Sequence, residues 1–118
     1  IKASPVKSYV DVSDKNFYLL ELLDALKDFK KIPDLDKDSA IKILSGKIKK
    51  LNSTETKLLI ECGLAYPPRA RAFLGAILEN IQTESDLTSL KSSLNPFSKY
   101  DFSIDKKQLP TIENWNII

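Results

Sequence analysis

Between residues 17 and 29 the chain carries more apolar side chains than one face of a helix can hold. Leu19, Leu22, Leu23, Leu26 and Phe29 follow helical spacing, and Phe17, Tyr18 and Leu20 widen the stripe. Only Glu21, Asp24, Lys27 and Asp28 read as clearly wet. A helix apolar over so much of its circumference is central in a core or buried on two sides. Other helices have to cover it, which points the chain toward an all-α fold. Ser13 or Asp14 is placed to cap its start. Pro33 ends it, because the residue before a proline is pushed out of the helical region.

Four further helices are expected. Asp36 or Asp38 starts the second, with Ala40, Ile41, Leu44, Ile48 and Leu51 on one face. Lys37, Lys42, Lys47, Lys49 and Lys50 crowd its other sides, and Gly46 weakens it by about 1 kcal/mol relative to alanine. Asn52 and Glu55 have the spacing of a capping box for the third helix, which carries Leu58, Leu59, Cys62 and Ala65. Gly63 is placed to break its end. Pro67 and Pro68 open the fourth, where a missing N–H costs nothing. Ala70, Phe73, Leu74, Ile77, Leu78 and Ile81 form its apolar face, and the small Ala72, Gly75 and Ala76 would let another helix approach closely. Thr83 or Ser85 caps a fifth helix through Leu87, Leu90 and Leu94, and Asn95-Pro96 stops it.

The two ends differ in character. Residues 1–12 read as an extended lead or linker. Residues 13–95 form the helical domain, and residues 96–118 an arm packed on the helices. In that arm Tyr100, Phe102 and Ile104 alternate with polar residues, as in a short strand, while Leu109, Trp115 and Ile117 can dock on the body. The whole is expected to be a single compact domain, which suits 118 residues.

Composition removes several chemistries. There is no histidine, and Cys62 is the sole cysteine. An internal disulfide, a Cys/His zinc cluster and histidine-dependent catalysis are thereby excluded. Asp34, Asp36 and Asp38 alternate as in a calcium loop, but the required glycine and closing glutamate are missing. Cys62 reads as a small core residue. No phosphate-binding glycine loop and no acid/base spacing is visible. The chain is therefore expected to be no enzyme, with no catalytic residue, metal or cofactor. No apolar run nears the roughly 20 residues needed to span a bilayer, so no membrane contact is expected. A lone cysteine fits a reducing cytoplasm. The chain begins at Ile1 and lacks methionine, so a longer parent protein is expected.

Charge narrows what remains. Eighteen basic and sixteen acidic residues leave a net +2, too little for a strong general polyanion binder. Arg69 and Arg71 both fall in the first turn of the fourth helix, where the macrodipole disfavours cations. Either each pairs with a carboxylate of a neighbouring helix, or one or both bind phosphate or an acidic partner. From Lys27 to Lys57 nine lysines face five acids. Lys42, Lys47, Lys49 and Lys50 then form either a solvated face or a nucleic-acid or partner surface.

The segment Tyr66-Pro67-Pro68-Arg69-Ala70-Arg71-Ala72-Phe73-Leu74-Gly75-Ala76-Ile77-Leu78-Glu79 resembles a motif of bacterial AbiEi-like proteins. These are antitoxins and transcriptional regulators of abortive-infection, type IV toxin–antitoxin systems. The likeness extends to Leu19-Leu20-Glu21-Leu22-Leu23-Asp24-Ala25 and Ile32-Pro33-Asp34. It continues more weakly through Leu94-Asn95-Pro96, Tyr100, Leu109-Pro110 and Trp115. The resemblance implies a two-part parent, whose N-terminal winged helix binds operator DNA and whose C-terminal part opposes a nucleotidyltransferase-like toxin. The present chain has no recognition-helix and wing pattern and would be the C-terminal part. Tyr66, Arg69 and Arg71 are the positions the motif carries over as interaction residues. A helical nucleic-acid-binding module and a dimerisation module, giving a homodimer through the small-residue face, are the alternatives.

Overall fold

The leucine-rich segment forms α1 (Asp14–Lys27). Leu19, Leu20, Leu22, Leu23 and Leu26 are all buried. Phe17 and Tyr18 instead stand partly in solvent, so the stripe is narrower than the composition suggests. A short 3-10 turn, Phe29–Lys31, closes the segment. The structure is a computed structural model that describes residues 14–31, 37–102, 104 and 106–117. The expected lead, the Ser13 cap, Pro33, Asp34 and Asp36 lie outside the described residues.

Four more helices follow: α2 (Lys37–Lys49), α3 (Ser53–Gly63), α4 (Pro68–Asn80) and α5 (Thr88–Ser92). A second 3-10 turn, Ile112–Trp115, lies in the C-terminal arm. The fold is all-α. Its radius of gyration of 13.3 Å is close to the ~13.5 Å of a compact single domain of this length.

The hub is α4 rather than α1. It packs against α1, α2, α3, α5 and the second 3-10 turn. Seven consecutive residues, Ala72 to Leu78, are buried, so α4 is enclosed on every side. Pro67 takes the N-cap position and Pro68 the first helical position, as their chemistry requires. The Asn52–Glu55 capping box forms in both directions, with each side chain accepting from the other residue's backbone N–H at 2.8 and 3.0 Å. Gly63 ends α3, but its φ is not positive. A Cβ there would sit 2.8 Å from Leu74 and 3.4 Å from Leu23, so glycine is needed for close packing and not for a left-handed turn.

Three expectations need correction. Lys37 does not join the wet lysines, since it opens α2 and is 3% exposed. Neither Thr83 nor Ser85 caps a fifth helix, because both lie in the preceding turns. The helix starts only at Thr88, where the Asp86 carboxylate accepts from both the backbone N–H and the hydroxyl of Thr88. Those two bonds hold the Asp86 carboxyl below its ordinary range. Finally, the small-residue stripe of α4 is met at Gly75 by an indole, where the sequence suggested the close approach of a helix. The six-membered ring of Trp115 fills the space over Gly75, where an added Cβ would meet ring atoms at 2.2–2.5 Å. At Gly75 that face is covered within the chain.

The arm is held on the body by polar bonds as well as by Phe102, Ile104, Leu109, Ile112 and Trp115, all buried. The Trp115 indole N–H donates to Glu79 at 3.1 Å, and the Thr111 hydroxyl donates to the Ala76 carbonyl. Asn116 adopts the left-handed conformation (φ 62°), which asparagine tolerates better than most residues. Its side-chain amide donates to the Asn95 carbonyl, and its own carbonyl accepts from the Tyr100 N–H at 2.8 Å. Among the described residues the expected strand at Tyr100–Ile104 reduces to one parallel bridge between Tyr100 and Ile117.

The two helical glycines Gly46 and Gly75 should respond oppositely to alanine. Gly46 has no atom within 4 Å of an added Cβ, so Gly46→Ala should raise stability by about 0.5–1 kcal/mol. Gly75→Ala must displace the indole and should cost about 3 kcal/mol. Urea denaturation of both variants checks the signs, and a stable Gly75→Ala protein would refute the role assigned to Trp115.

Candidate functional site

The motif around the start of α4 divides into residues that lock the fold and residues that face outward. Tyr66 is buried, and its hydroxyl donates to the Asp24 carboxylate of α1 at 2.7 Å. Leu20, one helical turn before Asp24, offers its carbonyl to the same hydroxyl at 3.5 Å. Arg71 then fastens this junction from the other side. Its Nε donates to the Tyr66 carbonyl at 3.0 Å and an Nη to the Ser93 carbonyl at 3.1 Å. Tyr66 and Arg71 therefore tie α1, α4 and the end of α5 together. The partners of Arg71 are backbone carbonyls rather than the expected carboxylate, and they offset the unfavourable helix-start position through charge-assisted bonds.

Arg69 points to a different place. Its guanidinium carbon lies 5.8 Å from the centroid of the Phe102 ring. Phe102 belongs to a buried trio with Phe29 and Phe73, whose centroids are 4.6–6.3 Å apart in edge and tilted contacts. The ring face attracts the cation and steadies the side chain without neutralising it. No side chain caps the start of α4, and its first turn holds no acid.

Arg69 opens onto a cleft of about 600 Å³ between the end of α1 and the start of α4. Lys27 and Lys31 stand on the α1 side with Asp28 between them in sequence, and Pro67, Pro68 and Tyr100 complete the lining. Asp28 and Lys31 approach only to 3.7 Å, and both are exposed. Such a pair contributes little and yields readily to another partner. Among the described residues the lining thus holds three cations and one weakly engaged carboxylate.

Lys42, Lys47, Lys49 and Lys50 are all exposed on α2 and the turn after it. Lys42 and Lys49 are seven residues apart and share a side, while Lys47 lies roughly 140° around the helix. They make a diffuse basic surface, not a single stripe. A smaller cleft of about 220 Å³, lined partly by Lys49, Thr56 and Glu84, lies between the end of α2 and the turn after α4. Cys62 is buried, and burial, then the neighbouring Glu61 charge, push its thiol above the ordinary range. That favours the unreactive form. Among the described residues no group of three or more His, Cys, Asp or Glu side chains could hold a metal ion. Among them also no helix is long and apolar enough to cross a membrane.

The sequence pattern brought out Tyr66, Arg69 and Arg71 together, and the structure separates them into two internal ties and one outward cation. Lys27, Lys31 and Tyr100 were not marked as site residues. Lys27 and Lys31 are four apart at the helix end, a spacing that puts two cations near each other. Nothing local in the sequence brings Tyr100 to them. No family model, no curated protein and no solved structure matches the chain.

Arg71→Ala should lower stability by about 2–3 kcal/mol, because two part-buried carbonyls lose a charged donor. Arg69→Ala should cost less, about 1 kcal/mol, the worth of a partly exposed cation–ring contact. Chemical denaturation of the two variants distinguishes them, and equal losses would contradict the division of roles. Cys62 should resist a thiol-specific reagent in the native protein at mildly alkaline pH and react fully in denaturant. Fast native labelling, followed by absorbance, would count against its burial.

Proposed function

We propose that this chain is the non-enzymatic C-terminal domain of a bacterial AbiEi-like antitoxin and transcriptional regulator. It counteracts a nucleotidyltransferase-like toxin in the cytoplasm, while a separate N-terminal part of the parent contacts operator DNA. The observation that carries the reading is the Tyr66–Glu79 motif. That segment supplies the hub helix, and its Arg69 is left facing a basic cleft. The domain acts through contacts at this cleft. Tyr66 and Arg71 hold the surface in shape, and Arg69 makes the contact.

The test uses the full-length reading frame with a neighbouring nucleotidyltransferase gene. Co-expression should restore growth of cells poisoned by the toxin. Arg69→Ala should lose most of that protection at unchanged protein level. No rescue by the wild-type protein overturns the antitoxin reading. Full rescue by Arg69→Ala removes the cleft from it.

A second reading is favoured by the exposure of Lys42, Lys47, Lys49 and Lys50. On it the domain is a helical nucleic-acid-binding module that engages phosphates through α2. Binding to duplex DNA would then weaken steeply with salt, and replacing two of these lysines by alanine would reduce the slope by about two. A negligible signal at low salt excludes this reading.

A further inference from the structure

The cleft at Arg69 has a composition that selects a ligand class. Lys27, Lys31 and Arg69 come from the end of α1, the following 3-10 turn and the start of α4. Three separate elements therefore each place a basic residue in the lining, and among the described lining residues Asp28 is the one acid. Over these described lining residues the excess is two positive charges. A carboxylate would neutralise half of it, whereas a phosphomonoester carries about −1.5 to −2 at neutral pH. Arg69 adds the planar fork that matches phosphate oxygens, and its position is steadied by the Phe102 ring beneath it. The exposed Asp28–Lys31 pair can open to release Lys31 toward an anion.

The rest of the lining is not that of a plain anion site. Pro67, Pro68 and Tyr100 contribute ring surfaces beside the cations, and Tyr100 is half-buried. Flat rings pack well on such surfaces, and base–aromatic stacking is sequence-tolerant. A volume of about 600 Å³ falls within the roughly 300–1,000 Å³ of small-molecule sites. Tyr100 is also held in place, because its N–H donates to the Asn116 carbonyl.

We propose that this cleft binds a nucleotide, with the phosphate held by Lys27, Lys31 and Arg69 and the base set against Pro67, Pro68 and Tyr100. The inference rests on the reading of the Arg69 cleft as the operative surface and does not require the toxin. The same chemistry is presented by a free nucleotide and by one unit of a single strand.

The experiment is an amide NMR titration of the 118-residue chain in low salt with four probes: AMP, adenosine, inorganic phosphate and a short single-stranded oligonucleotide. AMP should cause saturable shifts at the amides of Lys27, Lys31, Arg69 and Tyr100. Phosphate should need at least about tenfold more to move the same amides, and adenosine should leave the Lys and Arg amides unmoved. An oligonucleotide at least about tenfold tighter than AMP assigns the source to a strand, and one no tighter assigns it to a free nucleotide. Arg69→Ala should weaken AMP by about tenfold or more while remaining folded, with a melting temperature lowered by at most about 8 °C. If that variant does not fold, Lys27→Ala and Lys31→Ala, at a half-buried and an exposed position, carry the same test. The proposal is overturned by an absence of saturable AMP shifts at the cleft, by phosphate binding as tightly as AMP, or by shifts centred on Lys42–Lys50. Growth rescue by the parent protein is read separately, so failure of either claim is recognised without the other.

Discussion

The contact between Trp115 and Gly75 organises the molecule. An α-helix in the middle of a small domain has to be covered all round, and at Gly75 the cover of α4 is the Trp115 indole. Glycine is required because the ring occupies the space of its missing Cβ. The same indole donates to Glu79 of α4, so packing and a polar bond fix one geometry. Burial of the ring is worth several kcal/mol on its own, and the domain's total stability is only of order 5–15 kcal/mol.

The rest of the arrangement follows from keeping α4 enclosed. Tyr66 and Arg71 hold its start against α1 and the end of α5, using a carboxylate and two backbone carbonyls. The aromatic trio of Phe29, Phe73 and Phe102 fills the space below. These ties absorb two of the three polar residues at the helix start. Arg69 remains as the cation that the fold does not consume. The cleft is thus a by-product of how the hub is anchored, and its cationic character comes from whatever the anchoring leaves over.

The helices were legible because their apolar spacing, capping box and paired prolines are local signals. Asn52 and Glu55, and Pro67 and Pro68, act within one turn of chain and need no tertiary information. The exceptions arise where a distant residue decides. Gly75 reads as a seat for another helix until Trp115, forty residues later, is seen to fill it. Lys37 reads as wet by pattern, and its burial depends on surroundings that no local rule contains. Asp24 reads as wet because its partner Tyr66 lies 42 residues away. The candidate site shows the same division. Arg69 and Arg71 stand out by their place at a helix start, but only the fold separates the tie from the outward cation and adds Lys27, Lys31 and Tyr100.

Trp115 is the chain's single tryptophan, and its environment is unlike bulk water in every respect. The ring is 1% exposed, its N–H is hydrogen-bonded, and the Lys91 ammonium lies 5.2 Å from the ring centroid. Its fluorescence therefore carries no contribution from any other indole. The emission reports on one event, the seating of the C-terminal arm over α4. The protein contains its own optical gauge of whether its central helix is closed.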